Sequence, residues 1–430
     1  MRILVFVSVL GLLVACSESS SPLGPTEVTV DTFNVALAGA FIPYEAERRQ
    51  PIIDAIEGAN ADILCLQEVW EQSDKDMIKA AVEENYPHVV SFEDGLDTPV
   101  DDPTDQNGEV PESPEGVPCA DVEPDDPQTP EGDTMLDQMN DACDCLRDNC
   151  STIEGKDEGR TESAECASSS CVPAVAPLLF GDDPRQQRCY ACVITQLPTE
   201  TIGDIRSRCA TIENQDLAFR GQNGVMILSR HPLSNATNWV IPGTWNRRNI
   251  LSATARLPNG VDLDVYCNHL TPIFDGGAIN TFPYTGQYGL GGTGPDGWQA
   301  EQELQAQKLV DHVSETSGNR PAVILGDFNA GRDFLPDIVA EGEPTVDILE
   351  SAFEMAYTAD YEPLCTFCST NPVTDTENSV WIDHILLHNL SADAVLSTER
   401  VYDEDVVDVG EEQMVPLSDH FGMRSVIVVQ

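Results

Sequence analysis

Six short polar clusters recur along this 430-residue chain, each beside an apolar, β-rich run. Asn34 follows Val28-Thr29-Val30, and Gln67-Glu68 follow Ile63-Leu64-Cys65-Leu66. Asn268-His269 follow Val265-Tyr266-Cys267, and Asp327-Phe328-Asn329 follow Val323-Ile324-Leu325-Gly326. Asp383 sits inside Val380-Trp381-Ile382-Asp383-His384-Ile385-Leu386-Leu387, and Ser418-Asp419-His420 precede Ser425-Val426-Ile427-Val428-Val429. Carboxylate and amide oxygens are hard donors that suit a small divalent cation, and an imidazole oriented by a carboxylate takes up a proton near neutrality. One Asp or His at a strand end is an ordinary turn or cap residue. All six in a fixed order read as one site, where a cation and a general base drive water onto a phosphodiester.

Such a site needs several strand ends brought together, and the hydrophobic periodicity supplies strands alternating with helices. Helices are expected over 45–58, with Ile52, Ile53, Ala55 and Ile56 inside and Gly58 as the stop, over 73–84 and over 299–316. Strands are expected at 62–66, 88–92, 224–229, 250–257, 261–267, 322–325, 379–387 and 422–429. This is α/β alternation, and a 41% hydrophobic content is enough to bury its core. The stretch 275–298 carries eight glycines with Phe282, Tyr284, Tyr288 and Trp298, and reads as a mobile loop over the site. Arg247 and Arg248 read first as a solvated pair and second as contacts for a substrate phosphate.

The regular pattern breaks after residue 92. Between Ser91 and Asn140 there are sixteen carboxylates, eight prolines and no Lys or Arg, too little apolar surface to offset the cost of ordering the backbone. Residues 93–216 therefore read as an insertion, acidic at first and cysteine-rich later, with regular structure resuming at Gly224. Nine of the 14 cysteines lie between Cys119 and Cys209 without His at ligand spacing, which favours disulfides over zinc. Cys365-Thr366-Phe367-Cys368 reads as a local disulfide staple. Cys65 and Cys267, inside core strands, read as small buried hydrophobes, leaving at least one free thiol.

Arg2, the apolar run Ile3 to Val14 and Leu13-Val14-Ala15-Cys16 form an export signal over residues 1–16 whose end resembles a bacterial lipobox. That resemblance implies an acylated Cys16 anchoring the chain in a membrane, as an outer-membrane lipoprotein or otherwise a secreted protein, with residues 17–26 as a flexible tether and 27–430 as the folded domain. The formal charge of -52 disfavours nonspecific binding to DNA. No oligomer is expected.

The motifs L-Q-E-V, G-V-M-I-L-S-R, N-H-L, G-D-F-N, W-I-D-H-I-L and L-S-D-H together resemble the endonuclease/exonuclease/phosphatase superfamily, which includes DNase I-like nucleases and neutral sphingomyelinases. The likeness covers about residues 27–92 and 220–430. It implies a four-layer α/β/β/α sandwich, DNase I-like, interrupted by the Cys-rich acidic insertion. Pro43-Tyr44, Q-E-V-W-E-Q-S-D and V-P-L-S-D-H are similar to neutral sphingomyelinases, while His384 stands where many members have Tyr and no Arg lies near Gln302. The resemblance implies Glu68, Asn34 and Asp419 around Mg²⁺, with Mn²⁺ or Ca²⁺ as substitutes. His420 is then the general base oriented by Asp383, Asp327 and Asn329 position water and phosphoryl oxygens, and His269 donates to the phosphate. A phospholipid of sphingomyelinase or phospholipase C type is expected before DNA or RNA, and a noncatalytic binding lipoprotein is the reading from another class.

Overall fold

Period-two alternation builds two six-stranded mixed sheets. The computed structural model describes residues 24–39, 42–92, 117–119, 135–152, 164–179, 200–211, 222–274 and 294–430, with isolated positions between 159 and 219 and without 244, 335 and 375. The first sheet holds β1 (Thr26–Leu37), β2 (Ile63–Val69), β3 (His88–Val90), β4 (Met226–Ser229), β11 (Val395–Val401) and β14 (Gly422–Val429), in the order β11-β14-β1-β2-β4-β3. The second holds β5 (Leu233–Ile241), β6 (Arg248–Arg256), β7 (Asp262–His269), β8 (Ala322–Asp327), β9 (Glu354–Met355) and β10 (Asp383–His388), in the order β5-β6-β7-β8-β10-β9. Strands β12 (Val407–Asp408) and β13 (Met414–Val415) form a small separate ribbon.

Each sheet has one parallel pair at its centre, β1 with β2 and β7 with β8. Parallel neighbours need a crossover, and helices supply both. Helix α1 (Glu45–Glu57) joins β1 to β2, and α2 (Gln72–Val82) packs beside it on the first sheet. Their residues Ile52, Ile53, Ile56, Ile78 and Val82 bury against Leu64, Leu66 and Phe33. On the second sheet the crossover is the long helix Pro295–Ser317, whose Ala306, Leu309 and Val313 cover Tyr266, Ile324 and Leu386. Between the sheets lie Val28, Val30, Ile63, Leu251, Val265, Val323, Leu325, Ile385 and Leu387. The layers are therefore helix, sheet, sheet, helix, as the resemblance implies.

Where the sequence reading and the structure differ, the causes are local. Strands β5 and β11 escape periodicity because both are sheet edges with mostly exposed or half-exposed residues, so no apolar alternation marks them. The long helix begins at Pro295, after Gly294 at a φ of 61°, earlier than its apolar pattern indicates. Trp298 thus belongs to its first turn and is fully buried against Trp245, Ile273 and Phe274, not displayed on a loop. Phe282, Tyr284 and Tyr288 lie outside the described residues.

The insertion carries regular structure well before Gly224. Helices α3 (Met135–Cys150), α4 (Ala164–Ser170), α5 (Val172–Leu179) and α6 (Ile202–Thr211) enclose a core of Met139, Leu146, Leu178, Val193, Ile202 and Ile205. Four disulfides, Cys119–Cys189, Cys145–Cys171, Cys150–Cys166 and Cys192–Cys209, compensate for so small a core. The stretches 93–116 and 120–134, the export signal with Cys16 and most of the tether lie outside the described residues. Cys365–Cys368 is a disulfide, as expected. Cys65 and Cys267 are not separate buried thiols: their side chains point into the same inter-sheet space at a Cα separation of 5.5 Å and form a sixth bridge. Buried Cys143 stands outside these six pairs.

Candidate active site

Side-chain parity assembles the site. Leu263, Val265 and Cys267 of β7 face the inter-sheet core, and His269 is the next residue on that face. Val323 and Leu325 of β8 lead in the same way to Asp327, Leu387 and Ile385 of β10 to Asp383, and Val28 and Val30 of β1 to Asn34. At one end of the sandwich the inward stripes turn from apolar to polar, so these side chains meet without leaving their strands. Glu68 has the opposite parity, since Leu64 and Leu66 face the helices. Its φ of 58° turns the chain at the strand end, beside a register shift between Asn34 and Leu37, and brings the carboxylate back to the site. A left-handed conformation at a non-glycine residue costs about 1–3 kcal/mol and is retained where function demands it.

Asn34 Nδ2 donates to Glu68 Oε1 at 3.1 Å and to Asp327 Oδ2 at 2.9 Å. Its Oδ1 accepts the Ala36 N–H at 3.1 Å, so Asn34 turns its amide nitrogen, not its oxygen, toward the carboxylates. His269 Nε2 lies 3.4 Å from Asp327 Oδ2 and 3.9 Å from Glu68 Oε1. His420 Nδ1 bonds to Asp383 Oδ2 at 2.9 Å, leaving its Nε2 at 3.8 Å from Asp327 Oδ2. The Asn329 N–H donates to Asp327 Oδ1 at 2.8 Å, and its side chain is tied to Leu270 O at 2.9 Å. Phe328, between them, is buried under the helices on the other face. Ser418 Oγ lies 2.8 Å from Asn34 O and 3.1 Å from Asp419 Oδ1, and accepts the His420 N–H at 3.2 Å. All eight residues singled out from sequence therefore belong to one cluster.

That cluster is short of positive charge. Burial pushes the Glu68 carboxyl above its ordinary range and Asp419 pushes it further; burial and then Asp383 raise Asp327 to about 7. Asp383 Oδ1 is buried without a hydrogen-bond partner among the described residues. Burial, then repulsion from Arg248 and His420, holds His269 well below the usual imidazole value and keeps it neutral. For His420 burial acts downward, but Asp383 and Asp327 outweigh it and hold the ring well above its ordinary value. Arg248 is buried and bonds to His269 O at 3.4 Å; its Nε has no hydrogen-bond partner among the described residues, and burial lowers its pKa to about 10. A divalent cation against these oxygens would supply the missing charge, so the donor set fits Mg²⁺. Asp327, Asp383 and His420 also offer ligand atoms within 4.8 Å of one another.

Sequence and structure meet in one comparison. The model of the Endonuclease/Exonuclease/phosphatase family matches residues 157–420, more than half of the chain. The chain belongs to this family. Endonuclease/exonuclease/phosphatase proteins are typically metal-dependent phosphodiester hydrolases. Similar solved structures include sphingomyelinase C from Streptomyces griseocarneus, 12% identical over 94% of this chain and 99% of that one, with a TM-score of 0.46. A mutant of beta toxin from Staphylococcus aureus with bound magnesium ions is 12% identical over 93% and 99%, at 0.47. Truncated Caenorhabditis elegans TDP2 is 10% identical over 94% and 98%, at 0.45. No curated protein matches the chain.

Three supporting residues of this family member escape the motif reading. Fully buried Arg48 donates to the carbonyls of Val35, Ala36, Pro43 and Leu417, tying the Asn34 turn to the segment before Ser418. Its spacing of four from Ile52 and eight from Ile56 places a charge on an apolar helix stripe, a signal available in sequence. Gln302 donates to Thr271 O and Asn329 O, both at 2.8 Å. Thr366 Oγ1 accepts the N–H groups of Ile382 and Asp383 at 3.1 and 3.2 Å.

Proposed function

We propose that the protein is a Mg²⁺-dependent phosphodiester hydrolase whose favoured substrate is a phospholipid, cleaved in the manner of a sphingomyelinase or phospholipase C. The observation that carries this reading is the convergence of Asn34, Glu68, His269, Asp327, Asp383 and His420 from both sheets on one polar end of the core. Glu68 would be the principal cation ligand, with Asp419 beside it and Asn34 acting on the carboxylates or through a bound water. Asp383 fixes the His420 ring through Nδ1 so that Nε2 faces the site, and a bound cation would oppose the pull of the carboxylates that keeps the ring protonated, leaving Nε2 to take the proton of the attacking water. Neutral His269 donates to a phosphate oxygen, while Asp327 and Asn329 orient water and phosphoryl group. When bound, a divalent cation would offset charge that grows on the phosphoryl oxygens.

The lipid preference is supported by the charge of -52, which opposes a polyanionic substrate, and by the sphingomyelinase-like sequence around Glu68 and His420. Six disulfides among the described residues suit an oxidising compartment, and Leu13-Val14-Ala15-Cys16 supports a chain tethered to the bacterial outer membrane through Cys16. The test is a substrate panel with Mg²⁺ or with EDTA, run on wild type and His420→Ala. Phosphocholine release from sphingomyelin, abolished by EDTA and by the substitution, is expected. Plasmid nicking without lipid cleavage would replace the lipid reading with a nuclease, and turnover unchanged in His420→Ala would overturn the mechanism.

A further inference from the structure

The Cys65–Cys267 bridge lies directly beneath the candidate site. Cys65 belongs to β2 of the first sheet and Cys267 to β7 of the second, 202 positions apart in sequence. Facing sheets pack about 10 Å apart. At this pair the two backbones approach to 5.5 Å between Cα atoms. Glu68 stands three residues beyond Cys65 and His269 two beyond Cys267, so only about 7–10 Å of strand separates the bridge from either side chain. Immediately above it the Glu68 and His269 side chains come within 3.9 Å across the gap between the sheets.

The surroundings argue against a role in stability alone. Above and below the neighbouring strands the core is filled by Val30, Ile63, Val265 and Leu325, ordinary apolar residues that bury without a covalent link. The bridge occurs where the inward stripes change from apolar to polar. There apolar contact gives way to buried carboxylates that repel one another, and the bridge joins the Asn34–Asp327 hydrogen bond in tying the sheets together. Gln67 completes this floor: its Nε2 donates to Thr32 Oγ1 at 3.0 Å and lies 2.7 Å from Cys65 Sγ.

We infer that Cys65 and Cys267 are positioning residues for the cation site: their bridge pinches the two sheets together so that Glu68 on one reaches the partners of His269 and Asp327 on the other. The inference rests on the cation-dependent reading above. Without the bridge the sheets relax toward their usual spacing at this end, and the oxygen donors separate while the rest of the sandwich persists.

The experiment is calorimetric titration of metal-stripped protein with Mn²⁺ and with Mg²⁺, on wild type, Cys65→Ala/Cys267→Ala and the better-filled Cys65→Val/Cys267→Ala. Far-UV circular dichroism monitors the fold. The expected result is folded variants whose Kd for Mn²⁺ rises about tenfold or more, with phosphodiesterase activity recovering as Mg²⁺ is raised. A merely structural bridge would leave the Kd of the folded variant unchanged. A folded variant with a Kd within twofold of wild type overturns the inference and leaves the proposed function standing, as does loss of fold in both variants. Wild type that binds neither ion overturns the cation-dependent reading, and the inference with it.

Discussion

The hydrogen bond from Asn34 Nδ2 to Asp327 Oδ2, 2.9 Å long, joins residues 293 positions apart and crosses from the first sheet to the second. The same nitrogen serves Glu68 Oε1, so one amide holds two carboxylates that would otherwise repel each other. Hydrogen bonds to charged groups contribute about 1.5–3 kcal/mol. Asn34→Ala should therefore lower Mg²⁺ affinity or kcat/KM by about 10–100-fold, the range found when groups supporting a metal site are removed. Activity measured against Mg²⁺ concentration checks this, and an unaltered midpoint and plateau would refute it.

The 2.9 Å contact between His420 Nδ1 and Asp383 Oδ2 ties the two side chains together. His420→Ala should slow kcat by about 10²-fold or more, the usual contribution of a positioned general base. Asp383→Asn should cost a comparable factor, because an amide supports the ring without its charge. Residues acting together lose function non-additively, so the double variant should fall little below either single one. A complete kinetic cycle decides: losses that multiply would mean that the two side chains act separately.

Much of this site is legible in sequence because four of its side chains keep the parity of their strands. His269 extends the stripe of Val265 and Cys267, and Asp327 that of Val323 and Leu325. Glu68 is readable only as a motif residue, since strand alternation points it toward the helices and a φ of 58° reverses it. The bridge between Cys65 and Cys267 is hidden for a different reason. Pairing across 202 positions depends on which strands face each other, and two cysteines among apolar neighbours look the same whether bonded or not. Edge strands β5 and β11 are hidden because partial exposure removes the apolar pattern that marks central strands.

Arg48 is a fully buried cation that the sequence reading does not single out. Its guanidinium satisfies four carbonyls from three separate stretches of chain at 2.7–3.2 Å. Burial lowers its pKa, yet Asp419, Glu45 and Glu68 favour the charged form. Leaving a buried acceptor unsatisfied costs about 1–3 kcal/mol, so Arg48→Met, which keeps the apolar stem but no donor, should destabilise the fold by at least about 3 kcal/mol. Urea denaturation measures that loss. A stability within 1 kcal/mol of wild type, on the order of experimental error plus relaxation, would mean that water replaces the guanidinium at those carbonyls.

The short ring closed by Cys365 and Cys368 holds Thr366 against Asp383 and Phe367 against His420. Thr366 Oγ1 accepts the Asp383 N–H at 3.2 Å, Thr366 O accepts the Phe421 N–H at 2.8 Å, and the Phe367 ring centroid is 4.9 Å from that of His420. Closing so small a loop contributes about 2 kcal/mol by the chain-entropy relation. Cys365→Ser/Cys368→Ser should lose about that much in urea while kcat drops several-fold at unchanged Mg²⁺ affinity, because the ring supports His420 and Asp383 and not Glu68. Thr366→Val should reproduce the fall in kcat, and Thr366→Ser, which keeps the hydroxyl, should restore most of it. A stability loss with kcat intact in all three variants would reduce the ring to a loop staple with no hold on the dyad.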